Sequence, residues 1–138
     1  MVELTNSQSQ TFSSTSKKSR VLIVDEEEMI RSLAEKILKR AGVSTIAVAS
    51  GAAAVEAMRV WGEETALAIV DYSMSGMTGV ETIHELQKIA PHMMFVVSSG
   101  HILEHEDLPP DCKAEVHFLQ KPYRANQLSE LVISLISK

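Results

Sequence analysis

The stretch AIVDYSMSGMTGVE, residues 68–81, holds an apolar run that ends abruptly at Asp71 and passes at once into a loop with two glycines. The same pattern occurs earlier, where the apolar run at residues 20–24 ends at Asp25. Short continuous apolar runs predict strands that are covered on both faces, as in a parallel sheet. Because sites in such sheets form beyond the carboxyl ends of the strands, the two aspartates are predicted to share one crevice.

Strand and helix signals alternate along the chain on either side of these two runs. Further apolar runs bring the predicted strands to five, which cover residues 20–24, 43–48, 66–70, 93–97 and 116–119. Apolar residues at helical spacing, together with cap and stop residues, predict helices over residues 29–41, 51–61, 79–90 and 125–136. This alternation predicts an α/β fold with one parallel sheet layered by helices, in a single domain of residues 20–138.

The connection between the last two predicted strands interrupts the alternation. Residues 101–115, HILEHEDLPPDCKAE, occupy the place of a helix but contain Pro109 and Pro110. Proline lacks an N–H group and disfavours helical geometry in the residue before it, here Leu108. We therefore predict that residues 102–113 are partly non-helical and are the most mobile part of the folded domain.

The composition limits the possible classes of function. A chain of 138 residues with a net charge of −5 can bury one core but is too acidic for general nucleic-acid binding. No apolar stretch approaches the ~20 residues that span a membrane. Cys112 is the single cysteine, so no internal disulfide is possible and a reducing, cytoplasmic location is expected. The polar residues 1–19 predict a disordered tail or linker. We expect neither a nucleic acid nor a membrane as partner.

Charged and hydroxyl residues follow the predicted strands at one edge of the sheet. Asp25 and Glu26 follow the first strand, Asp71 the third, Ser99 the fourth and Lys121 the fifth. Carboxylates that converge in a low dielectric need a cation, and Mg²⁺ prefers oxygen ligands in open sites. A carboxylate neutralised by Mg²⁺ and a lysine is a good phosphoryl acceptor, and a nearby hydroxyl can hydrogen-bond the phosphoryl oxygens.

Four segments together resemble the receiver domain of two-component response regulators, over residues 20–138. They are VLIVDEEEMIR, IVDYSMSGMTGVE, VVSSGH and FLQKPY, which match the family's acidic pair, phosphoacceptor segment, switch hydroxyl and Lys-Pro motif in order and spacing. The resemblance implies a doubly wound, flavodoxin-like (βα)5 fold whose parallel five-stranded sheet has the strand order 2-1-3-4-5. It also implies a phosphorylation-controlled signalling switch.

The resemblance implies a phosphoacceptor and a metal site. Asp71 would be the phosphorylated residue, and the ligands of Mg²⁺ would be Asp25, Glu26, Asp71 and the backbone carbonyl of Ser73. Two departures from the family pattern bear on this site. Ser75 stands in place of the usual proline, which predicts a looser loop, and Glu26 stands where many members have aspartate. Whether Glu26 contacts the metal directly or through water stays open.

The resemblance also implies residues that bind the phosphoryl group and respond to it. Lys121 would be the lysine that contacts the phosphoryl group, and Ser99, preferred over Ser98, would be the switch hydroxyl. Phe118 takes the position of the switch aromatic, although a strand aromatic is also typical of a core. Pro122 is the candidate for a cis peptide bond that directs the lysine into the pocket.

As a receiver, the chain would accept its phosphoryl group from a histidine kinase or a histidine phosphotransfer protein. It would be no enzyme in its own right, but a phosphoacceptor that assists its own phosphotransfer and autodephosphorylation, with no output domain in the chain. At most a weak or phosphorylation-dependent dimer is expected. Two contexts stay open: a free-standing regulator or phosphorelay intermediate, and the receiver of a hybrid sensor kinase.

Two other classes of function compete with this interpretation. An aspartyl-phosphate phosphatase or phosphotransferase of the haloacid-dehalogenase type needs a second aspartate two residues after the nucleophile, where this chain has Ser73. A pseudo-receiver would be an interaction module that is never phosphorylated. The acidic residues together with Asp71, Ser99 and Lys121 argue against a pseudo-receiver, and a metal titration would decide the question.

Overall fold

The structure is a computed structural model that describes residues 19–137. Its strands and α-helices alternate in the order β1 (Arg20–Val24), α1 (Glu28–Arg40), β2 (Thr45–Val48), α2 (Gly51–Trp61), β3 (Thr65–Asp71), α3 (Gly79–Ile89), β4 (Met94–Ser99), β5 (Val116–Gln120) and α4 (Ala125–Ile136). The predicted disordered tail, residues 1–19, lies outside the described residues except for Ser19. None of the helices in the described part of the chain has the length and apolar character needed to cross a membrane.

The five strands form one parallel sheet in the order β2-β1-β3-β4-β5, which confirms the predicted fold class and strand order. All seven residues of the central strand β3 are buried, as expected for a strand covered on both faces. Successive side chains of β3 point to opposite faces of the sheet. Ala68 and Val70 enter the core beneath α2 and α3, whereas Leu67 and Ile69 enter the core beneath α1 and α4.

The connection from β4 to β5 contains no α-helix, so the (βα)5 pattern is incomplete at this one place. A three-residue 3-10 helix, His105–Asp107, is its only helical element, and Leu108 after it is extended, with φ −103° and ψ 153°. Pro109 favours this extended geometry in the residue before it. Leu103 and Leu108 still pack against the core beneath α2 and α3. The prediction of a partly non-helical segment is therefore confirmed.

Two glycines shape the loop that follows Asp71. Gly76 has a φ of +70°, a conformation that residues with a side chain rarely adopt. Gly79 opens α3 so close to β3 that a Cβ atom there would lie 2.5 Å from the carbonyl oxygen of Asp71. Thr78 and Glu81 cap the helix reciprocally, each side chain accepting a hydrogen bond from the other's backbone N–H. The glycines thus allow α3 to begin directly behind the backbone of Asp71.

Replacing Gly79 with alanine should destabilise the domain by about 2 kcal/mol, because the new methyl group would displace the backbone of Asp71 and Tyr72. The matched control is Gly62→Ala, since Gly62 has helical φ and ψ angles of −57° and −40°. A Cβ atom at Gly62 would meet only Ile89, at 3.9 Å, so this change should be neutral or stabilising by up to ~1 kcal/mol. Urea unfolding measures the stability of both variants. Equal unfolding midpoints would contradict the close approach of Gly79 to the backbone of Asp71.

The segment between β4 and β5 should exchange its amide hydrogens faster than α4, because it lacks a continuous ladder of helical hydrogen bonds. Hydrogen–deuterium exchange followed by mass spectrometry should show residues 102–113 as the least protected part of residues 20–137. Protection of residues 102–113 equal to that of α4 would contradict the prediction of mobility.

Candidate functional site

The carboxylates of Asp25 and Asp71 lie side by side at the carboxyl edge of the sheet. β1 and β3 are neighbouring strands in register, so their ends emerge at the same place. Asp25 is 3% exposed and Asp71 is 4% exposed. Backbone N–H groups of the following turns donate to them: Glu27 to Oδ1 of Asp25 at 2.9 Å, and Ser73 to Oδ1 of Asp71 at 3.2 Å. Two buried groups of like charge therefore share the predicted crevice.

The ammonium group of Lys121 lies between these carboxylates. Its Nζ atom is 3.0 Å from Oδ2 of Asp25, 3.4 Å from Oδ1 of Asp71 and 3.5 Å from Oε1 of Glu27. The Lys121 side chain is only 14% exposed. Its backbone N–H donates to the carbonyl oxygen of Ser99 at 2.7 Å, and the Lys121–Pro122 peptide bond is cis. The chain after β5 is thus bound to the end of β4, and the Lys121 side chain extends past the end of β4 into the crevice.

The electrostatics of the crevice follow from burial and from these contacts. Burial, together with the charge of Asp25, raises the pKa of Asp71, and Lys121 offsets only part of this effect. Burial disfavours the charged form of Lys121, but the hydrogen bond and charge of Asp25 and those of Asp71 outweigh it, so the pKa of Lys121 is raised. Burial and the charge of Asp25 also raise the pKa of Tyr123 to about 12. Lys121 is therefore held in its cationic form next to the two aspartates.

Three carboxylates come together closely enough to hold one metal ion. Oxygen atoms of Asp25, Glu27 and Asp71 lie within 4.8 Å of one another. A donor set made only of oxygens, with one side open to water, fits Mg²⁺ better than a transition metal. Glu27, whose side chain is 63% exposed, forms the open side of this cluster. The sequence contains three consecutive glutamates, Glu26 to Glu28, but their spacing alone did not identify which one faces the aspartates.

Glu26, the predicted partner of Asp25, lies at the rim of the crevice and contacts a different loop. Its Oε1 atom accepts hydrogen bonds from both the backbone N–H and the hydroxyl of Ser75, each at 2.9 Å. These hydrogen bonds lower the pKa of the Glu26 carboxyl. The sequence predicts a looser loop at Ser75, whereas the structure shows two bonds that tie this loop to the end of β1.

The two serines at the end of β4 are both buried. Ser98 is the register partner of Asp71, and its carbonyl oxygen accepts from the N–H of Tyr72 at 2.9 Å. The hydroxyl oxygen of Ser99 accepts from the N–H of His101 at 3.0 Å. Since a serine hydroxyl that accepts one bond can still donate its own proton, Ser99 has a donor left for a ligand.

Phe118, the predicted switch aromatic, is half-buried on β5. It packs against the core beneath α2 and α3. Its ring also meets that of His105 edge to face, with 5.1 Å between the ring centroids. Phe118 therefore joins the sheet to the non-helical connection between β4 and β5.

The match to a family model decides the family. The model for the response regulator receiver domain matches residues 21–133. The chain belongs to this family. Its fold and the strand-end aspartates agree with that membership, and the receiver domain is the signal-receiving module of two-component systems.

Similar proteins include sensor kinases and isolated receivers. The sensor kinase CckA of Brucella abortus is 32% identical over 120 residues, which cover 86% of this chain and 12% of that kinase. The autoinducer 1 sensor kinase/phosphatase LuxN of Vibrio campbellii is 29% identical over 86% of this chain and 14% of its own length. A response regulator receiver protein from Sinorhizobium medicae, of known structure, is 29% identical with a TM-score of 0.73, covering 86% of this chain and 94% of that one. The receiver chain thus spans about an eighth of the two kinases.

Replacing Lys121 with methionine should leave the receiver folded but destabilise it by about 3 kcal/mol without metal, because two buried carboxylates lose their cation. Adding Mg²⁺ should recover part of this loss, since an ion that binds only the folded state stabilises it. The control Lys88→Met removes an exposed pair with Glu85 and should change stability by less than about 0.5 kcal/mol. Thermal unfolding in EDTA and in Mg²⁺ measures both. Equal losses of stability in Lys121→Met and Lys88→Met would mean that Lys121 does not neutralise the aspartates.

Proposed function

We propose that this receiver is a phosphorylation-controlled switch in which Asp71 accepts a phosphoryl group in a Mg²⁺-dependent reaction. The observation that carries the proposal is the contact of one largely covered lysine, Lys121, with two buried aspartates, Asp25 and Asp71, at 3.0 and 3.4 Å. Removing three charged groups from water costs desolvation energy, so such a cluster favours a functional role over a purely stabilising one. A phosphoryl group delivers negative charge to this position, and Lys121 is already directed towards it.

The proposed chemistry uses the positions of these groups. An oxygen of Asp71 attacks the phosphorus of a phosphorylated histidine on the donor protein. The new O–P bond forms while the P–N bond breaks, and the donor imidazole leaves with the electron pair of that bond. Lys121, 3.4 Å from the carboxylate of Asp71, neutralises charge on the phosphoryl oxygens as the group arrives. No proton has to be removed from Asp71, because its carboxylate is the nucleophile.

The residues proposed to hold Mg²⁺ are Asp25, Asp71 and the backbone carbonyl of Ser73, with a third carboxylate from the Glu26–Glu27 pair. When bound, the ion would neutralise phosphoryl oxygens and hold the group in line with the nucleophile. The oxygen-only cluster at the end of β1 and β3 supports this assignment. The same groups would later orient the water that removes the phosphoryl group, so that the receiver assists its own dephosphorylation.

The covalent state would be sensed at the end of β4 and on β5. Ser99 keeps a hydroxyl proton that can be donated to a phosphoryl oxygen. If Ser99 turns toward the phosphoryl group, its bond from the N–H of His101 must change, and His101 begins the non-helical connection. Phe118 contacts His105 in that same connection. We therefore assign the readout of phosphorylation to residues 101–113 and β5.

The cellular setting is proposed from the relatives. Two of them are sensor kinases by name, which supports a histidine kinase or histidine phosphotransfer protein as phosphoryl donor. Cys112, the single cysteine of the chain, fits the cytoplasmic location that we propose. Residues 19–137 form only the receiver fold, so we propose that the signal passes to a separate protein or to another part of a longer chain. At most a weak or phosphorylation-dependent dimer is the proposed oligomeric state.

Incubation with acetyl phosphate should add one phosphoryl group to the wild-type protein only when Mg²⁺ is present, and Asp71→Asn should abolish the addition. Intact-protein mass spectrometry measures the mass gain directly. The matched control Asp111→Asn changes an exposed aspartate in the β4–β5 connection and should behave like the wild type. Mass gain in Asp71→Asn would contradict the assignment of Asp71. No gain in the wild type, at any Mg²⁺ concentration, would favour a pseudo-receiver.

A further inference from the structure

Ser75 makes two contacts with Glu26 that a residue such as proline could not make. Its backbone N–H and its hydroxyl both donate to Oε1 of Glu26, each over 2.9 Å. Proline has neither an N–H group nor a hydroxyl. The two residues are 49 positions apart in the sequence, so the bonds join the turn after β1 to the loop after β3. The Glu26 carboxylate is therefore held at the rim of the acidic crevice.

Glu27 has the contacts that would otherwise be expected of Glu26. Its Oε1 atom lies 3.5 Å from Nζ of Lys121, and its carboxylate completes the oxygen cluster with Asp25 and Asp71. Its backbone N–H also donates to Oδ1 of Asp25 at 2.9 Å, which fixes the turn that directs its side chain. The turn thus places Glu27 over the crevice and Glu26 against Ser75.

We propose that Ser75 is a positioning residue that holds Glu26 away from the crevice, so that Glu27 supplies the third carboxylate for a bound Mg²⁺ ion. This inference rests on the proposed Mg²⁺-dependent function and adds the roles of three residues to it. Glu26 is not part of the oxygen cluster of Asp25, Glu27 and Asp71, so its carboxylate would have to move toward the ion and strain two charge-assisted hydrogen bonds from Ser75. Glu27 gives up only a long contact with Lys121. The difference favours Glu27 as the ligand.

Mg²⁺ affinity of the unphosphorylated protein tests the proposal without any phosphotransfer. Isothermal titration calorimetry should be performed with wild type, Glu26→Gln and Glu27→Gln, since glutamine keeps the size of the side chain and removes its charge. Glu27→Gln should raise the dissociation constant for Mg²⁺ about tenfold, whereas Glu26→Gln should change it by less than about twofold. A larger effect of Glu26→Gln than of Glu27→Gln would overturn the proposal.

Ser75 itself is tested by its effect on the Glu26 substitution. Ser75→Pro removes both donors and should free Glu26 to reach the ion, so that Glu26→Gln in this background weakens Mg²⁺ binding about threefold or more. Ser75→Thr keeps the N–H and the hydroxyl, and in that background Glu26→Gln should again have almost no effect. The same effect of Glu26→Gln in all three backgrounds would show that Ser75 has no positioning role.

The failure of this inference can be told apart from a failure of the proposed function. In one outcome, wild type binds Mg²⁺, Asp25→Asn abolishes binding, and Glu26→Gln weakens binding more than Glu27→Gln does. This outcome would support the metal site but contradict the proposed roles of Ser75 and Glu27. If wild type binds no Mg²⁺ up to concentrations in the tens of millimolar, where open carboxylate sites are filled, the proposed function and this inference both fail. Circular dichroism of each variant shows whether it is folded.

Discussion

Two buried carboxylates and one ammonium group form the interaction on which the rest of the structure depends. Asp25 and Asp71 would repel each other in a low dielectric, and Lys121 supplies the positive charge that allows both to be buried. The three residues come from the ends of β1, β3 and β5. Because β4 separates β3 from β5, the lysine reaches the aspartates only when β1, β3, β4 and β5 are assembled in their order. The crevice is thus a product of the complete fold.

The fold could be read from the sequence because its signals are local and agree with one another. The apolar runs that end at Asp25 and Asp71 predict parallel strands, and the two prolines after Leu108 predict the missing helix. The crevice residues could be predicted for the same reason, since strand ends of a parallel sheet meet at one edge. The positions of Asp25, Asp71 and Lys121 follow from strand topology alone.

Side-chain directions in the turns could not be predicted in this way. In the turn after β1, side chains no longer alternate between the two faces as in a strand, and they do not yet follow the helical repeat. Sequence spacing therefore does not indicate that Glu27 faces the crevice and Glu26 contacts Ser75. Helical spacing predicts α1 but likewise does not identify which of its apolar residues are buried. Met29 and Leu33 follow the helical spacing but are exposed, because the sheet covers only the side of α1 that carries Ala34 and Leu38.

Residue 71 is the centre of the proposed function, and its identity as the phosphoacceptor can be measured on the wild-type chain. Borohydride reduces an aspartyl phosphate to homoserine, which marks the modified residue permanently, and peptide mapping by mass spectrometry then locates it. After treatment with a phosphoryl donor and Mg²⁺, the homoserine should replace Asp71 and no other residue. A mark at Asp25, at another aspartate or at no position in a protein that has gained a phosphoryl group would contradict the assignment.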